Sequence, residues 1–129
     1  MKRHAIEILI EEADNAINME DFDTLINIYT DDAALVIKPG MNAIGKNQIR
    51  KAFEAIAAHF EHSVNVKQVG MEILETGDTA LVLAKTLVSA NNMPVIERKA
   101  TYVFKKDTGS NWLCAIDNFY GHELLGVNA

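Results

Sequence analysis

Residues 16–45 read AINMEDFDTLINIYTDDAALVIKPGMNAIG, and their patterning decides the fold class. Asp21 has the character of a helix N-cap, with Phe22, Leu25, Ile26 and Tyr29 following at the spacing of one helical face. Thr30-Asp31-Asp32 ends that short helix. Ala33 to Ile37 is an uninterrupted apolar run of strand length, and Pro39-Gly40 closes it as a turn.

Upstream, Ile6, Leu9, Ile10, Ala13 and Ile17 recur at i, i+3, i+4, i+7 and i+11, the stripe of an amphipathic helix. Downstream, Ile49, Ala52, Phe53, Ile56 and Phe60 predict a third helix from about Lys46 to Phe60. After His62 the period falls to two. Val64 and Val66 alternate, the phase slips near Gly70, and Met71 and Ile73 resume, which predicts a β-bulge. Turns at Thr76–Asp78, Asn91–Pro94 and Asp107–Asn111 separate strands Thr79–Ala90, Val95–Lys106 and Trp112–Tyr120, an antiparallel meander. Helices first and strands afterwards imply an α+β fold with the helices on one face of the sheet.

The bulk properties set outer limits. A length of 129 residues suits one domain over 1–129, large enough to bury a core without metals or disulfides. A net charge of −6, with basic residues scattered, argues against a nucleic-acid partner. No run approaches the ~20 apolar residues of a membrane span. Glu7, Glu11 and Glu12 break any secretory apolar core, so a cytoplasmic location is expected. The single cysteine, Cys114, lies in an apolar strand and reads as a small buried hydrophobe.

The order of elements, the segment DFDTLINIYTDDAALVIKPG and the following GKNQIRKAF resemble the nuclear transport factor 2-like superfamily. The similarity is to its SnoaL-like and ketosteroid isomerase-like bacterial members. It runs from Ile6 to about Gly121, and its markers are Tyr29–Ala33, the glycine-led helix Gly45–Phe53 and the stretch Trp112–Asp117. The resemblance implies a cone-shaped, cystatin-like roll. A strongly curved antiparallel sheet would wrap three N-terminal helices and leave an apolar cavity open at one end. It also implies a homodimer formed sheet to sheet. Such a cavity would take a small apolar molecule as its partner.

The isomerase members use a carboxylate base, a tyrosine and a protonated aspartate, an arrangement that also serves as a general worked case of pKa tuning. Aligned on Asp31-Asp32-Ala33-Ala34, the base's place is taken by Lys38 and the tyrosine's by Ala13. The second acid falls at Ala100 or Thr101. A protonated lysine abstracts no proton, and alanine donates no hydrogen bond. Isomerisation by that route is not expected.

Other groups are candidates. Lys38, facing a dry cavity, would act as a base or bind a ligand carboxylate or enolate. Asp117 is a carboxylate among apolar neighbours, a setting that raises its pKa and suits acid–base catalysis. Strict alternation sets Asp117 with Leu113, Ala115 and Phe119, opposite Trp112, Cys114, Ile116, Asn118 and Tyr120. Tyr29 and Tyr102 suit a pocket wall, and Asn118 a hydrogen-bonding role toward substrate. Of Arg98 and Lys99, which take opposite faces, one should reach the cavity mouth or a dimer partner. His59 and His62 flank Glu61 but make too few ligands for a catalytic metal. No glycine-rich phosphate loop occurs, so neither metal nor cofactor is expected. Two readings remain: an acid–base catalyst acting on a small apolar carbonyl compound, and a non-catalytic ligand-binding or dimeric association module.

Overall fold

The computed structural model describes residues 3–126. In chain order these form α1 (Ala5–Met19), α2 (Phe22–Ile26), β1 (Tyr29–Lys38), β2 (Met41–Ile44) and α3 (Gly45–His59). Then come β3 (Asn65–Thr76), β4 (Thr79–Ala90), β5 (Met93–Lys106), β6 (Trp112–Asn118) and a 3-10 turn over Gly121–Leu125. The three helices pack on a six-stranded sheet of order β2-β1-β6-β5-β4-β3. The α+β reading holds. Among the described residues no helix is long and apolar enough to cross a membrane.

Each helix forms for local reasons. His4 Nδ1 accepts from the Ile6 N–H at the start of α1, and Glu20 closes the helix in the left-handed region. Asp21 caps α2, as expected, by accepting from both the backbone and the hydroxyl of Thr24. Gln48 reaches back to the Ile44 N–H at the start of α3. Ile6, Ile10, Leu25 and Ile49 are buried against the concave face of the sheet, together with Ala80, Val82, Ala100 and Phe104 from β4 and β5.

Three details differ from expectation. Helix α2 ends at Ile26, so Tyr29 and Thr30-Asp31-Asp32 are not its last turn but the first residues of β1. A short strand, β2, lies between the Pro39-Gly40 turn and α3 and pairs back on β1. The sheet is mixed rather than wholly antiparallel, because β1 runs parallel to β6, with Leu35 opposite Asp117. That junction links the N-terminal hairpin to the end of the meander. No local pattern encodes it.

Two bulges shape the concave face. In β3, Val69 is extra between Gln68 and Gly70, which face the consecutive Thr86 and Lys85. This is the slip expected near Gly70. In β6, Ala115 is extra: Cys114 and Ile116 face the consecutive Phe104 and Val103, so no residue of β5 stands opposite Ala115.

Candidate functional site

The bulge at Ala115 builds the site. Beyond it the side-chain phase of β6 reverses, so Asp117 lies on the same concave face as Trp112 and Cys114, not opposite them. Cross-strand pairing sets Tyr102 of β5 beside Asp117, and parallel pairing sets Tyr29 of β1 beside Cys114. The Tyr29 hydroxyl donates to Asp117 Oδ2 at 2.6 Å. Asp117, Tyr29 and Tyr102 all line a cavity of about 430 Å³ between helices and sheet, within the usual range for small-molecule sites. Its walls are mainly apolar, with Ile10, Ile17, Leu35, Phe53 and Phe104 among them.

A second carboxylate enters from α1. Asp14 lines the same cavity, and its Oδ2 accepts from Gln68 Nε2 at 3.0 Å. Gln68 in turn accepts through Oε1 from the hydroxyl of the fully buried Thr86, at 3.2 Å. This amide is held from both sides, and it fixes the carboxylate. Asp14 was not among the expected residues. Its signal was present: it stands four residues after Ile10 and three before Ile17, a charge on an apolar helical stripe.

Burial dominates the electrostatics. Desolvation raises the Asp117 carboxyl from 3.8 to about 6, opposed by the hydrogen bond from Tyr29. Asp14 also rises to about 6, first through desolvation and further through the nearby Asp117 charge, with the Gln68 hydrogen bond opposing. Burial, reinforced by the Asp117 carboxylate, lifts the Tyr29 and Tyr102 hydroxyls well above 10. Both phenols therefore remain donors. Burial likewise lifts the Cys114 thiol, which stays un-ionised and packs as a small hydrophobe.

The remaining expected residues occupy other places. Lys38 is exposed at the rim, at the end of β1, so the dry surroundings that would make it a base are absent. Asn118 does not line the cavity. Its side chain accepts from the Tyr120 and Gly121 N–H groups and donates to the Gly121 carbonyl, pinning the turn after β6. Of the Arg98–Lys99 pair it is Arg98 that lines the cavity. It donates to Glu123 at 2.8 Å and sits 4.5 Å from the centroid of the Tyr120 ring. His59 also lines the cavity, whereas His62 bonds Glu20. Among the described residues no three His, Cys, Asp or Glu side chains are grouped to hold a metal. Ala13, at the place of the isomerase tyrosine, offers the cavity only a methyl group.

The profile of the SnoaL-like domain matches residues 6–114. A search of the curated proteins found no significant match. Among solved structures, a protein of unknown function with a cystatin-like fold from Nostoc punctiforme superposes with a TM-score of 0.76 at 18% identity, over 91% of this chain and 92% of its own. An uncharacterised cystatin-like protein from Caulobacter vibrioides gives 0.78 at 20% identity, over 88% and 84%. A Streptomyces avermitilis protein, provisionally named a dehydratase from the NTF2-like family, gives 0.70 at 21% identity, over 87% and 89%. At such identities the likeness is one of fold.

Proposed function

The chain belongs to the SnoaL-like domain family, and from that premise we propose that it binds a modest, mostly apolar carbonyl compound and moves protons on it by acid–base catalysis. The observation that carries this reading is the Asp117 carboxyl, raised to about 6 inside a cavity of about 430 Å³ and hydrogen-bonded by Tyr29. A base whose pKa lies just below neutrality is ionised when needed and still basic enough to accept a proton.

The steps are simple. Ionised Asp117 takes a proton from the carbon next to the carbonyl, and the C–H electron pair moves into the new carbon–carbon double bond. The carbonyl oxygen gains negative charge. The Tyr102 hydroxyl, un-ionised beside Asp117, donates a hydrogen bond to that oxygen. Protonated Asp117 then returns its proton to the same carbon as the electron pair moves back from the double bond. Asp14 supplies a second acid in its protonated form, which would serve a leaving hydroxyl. The provisional dehydratase name of the Streptomyces relative fits that variant.

The test is proton exchange. An α-protonated aryl ketone in heavy water should lose its α-proton NMR signal faster with the protein than without. Asp117→Asn should abolish the acceleration while leaving binding in place. Binding without acceleration in the wild type would instead make the protein a ligand carrier, the reading favoured by Ala13 where an isomerase has its tyrosine.

The assembly we propose is a homodimer. Leu74, Leu81, Val103, Ile116, Ala34 and Ile44 are cross-strand partners in one row over all six strands, on the face away from the helices. Leu74, Leu81, Ile116 and Ile44 are exposed there, an apolar stripe that a second copy of the same stripe would cover.

A further inference from the structure

The polar groups of the cavity are sorted by depth. Asp14, Asp117 and the two phenols hold the interior, whereas the groups at the rim are Lys38, His59 and Arg98. Lys38 and His59 are exposed, and the Arg98 side chain keeps 22% of its surface. The one carboxylate bonded to these rim cations is Glu123, on Arg98, although the chain carries 18 acidic residues against 12 Lys and Arg. Such a rim runs against the protein's own charge balance.

Strand register supplies the distances. Leu35 lies level with Asp117 on the parallel neighbour, and Lys38 is three residues further on, roughly 10 Å at strand spacing. Tyr102 lies level with Asp117 on the antiparallel neighbour, and Arg98 is four residues back, roughly 13 Å in the same direction along the sheet. Both cations thus stand on one side of the reacting carboxyl, a small molecule's length away. Among the described residues Lys38 forms no salt bridge. Arg98 uses one amino group on Glu123 and has further N–H groups to offer.

We infer that the ligand is an amphipathic monocarboxylate, its carboxylate held at the rim by Lys38 with Arg98, its apolar body in the cavity and its carbonyl at Asp117. The inference rests on the pocket reading above and adds the ligand's charge and orientation. Interior carboxylates repel an anion, so the ligand cannot enter head first. The rim attracts that head and keeps it outside.

The test compares δ-benzoylvalerate, a phenyl ketone with a terminal carboxylate, with its neutral amide, δ-benzoylvaleramide, by isothermal titration at low salt. The acid should bind the wild type about fivefold more tightly, the scale of one partly solvated ion pair. Lys38→Met, a change at an exposed position, should remove most of that preference and leave amide affinity unchanged. Raising the salt should shrink it as well. Equal binding of acid and amide to the wild type would overturn the inference while leaving the pocket reading intact. A preference that survives Lys38→Met combined with Arg98→Met would also overturn it. Failure of both probes to bind would remove the pocket reading and this inference together.

Discussion

The Tyr29 hydroxyl donates to Asp117 Oδ2 at 2.6 Å, joining the first residue of β1 to β6 across 88 positions of sequence. A phenol cannot ionise easily beside a carboxylate in a buried site, so the pair is stable as Tyr–OH with Asp–COO⁻ or Asp–COOH. Tyr29 also restrains the rise of the Asp117 pKa by favouring the charged form.

Removing that restraint should be visible in a pH profile. With Tyr29→Phe the opposing hydrogen bond is gone, and Asp117 should titrate higher than about 6. The acidic limb of the exchange rate, which rises as Asp117 ionises, should shift to higher pH by roughly one to two units, the scale of a hydrogen bond to a charged group. An unmoved limb would show that Asp117 is not the titrating base.

Stability should respond to pH in a direction opposite to that of a salt-bridged acid. The folded-state pKa of Asp117 lies above the unfolded value, so the folded form binds more protons between about 4 and about 6. The contribution of Asp117 to stability is greatest below that window, falls as pH rises through it, and stays level above. Asp117→Asn, which keeps an acceptor for Tyr29 without a charge, should therefore stabilise the protein at about pH 8 by on the order of 1–3 kcal/mol. The gain should vanish below about pH 4. Urea melts over that range check it, and a variant less stable than wild type at every pH would contradict the argument.

Gly121 is a geometric necessity. Its φ is +55°, and a Cβ there would lie 2.1 Å from the Lys99 carbonyl oxygen. Gly121→Ala should push the 3-10 turn away from β5 and loosen the Arg98–Glu123 contact. A loss of about 2 kcal/mol or more is expected from backbone strain and the clash, readable by thermal melting. Gly40, with a similar φ but open space around it, should tolerate alanine better.

The outer stripe makes a prediction about mass. The wild type should elute as a dimer in size-exclusion chromatography with light scattering. Leu81→Glu with Ile116→Glu, both at exposed positions, should yield a folded monomer. A monomeric wild type would remove the proposed interface.

Much of the architecture was legible because its signals are local. The stripe Ile6–Ile17, the Asp21 cap, the slip near Gly70 and the polar turns each depend on neighbours within a few residues. The spacing of Tyr29 from Leu25 fits a helical face, yet Asn27 already ends α2 and Tyr29 opens β1. One acid on an apolar stripe, as at Asp14, looks like an ordinary interruption until its cavity exists.

The sequence by itself determined every α-helix and strand but β2, their order, the α+β class and the apolar character of the concave face, because propensity and periodicity act over short ranges. The tertiary structure decided the site. Alternation alone sets Asp117 opposite Cys114, and only pairing with β5 admits Ala115 as an extra residue and turns the carboxyl inward. The parallel junction of β1 with β6 then delivers Tyr29 to it, and α1 brings Asp14 to the same cavity. Strand register and helix docking are settled by contacts between distant segments, so the raised pKa values of Asp14 and Asp117 exist only in the folded chain.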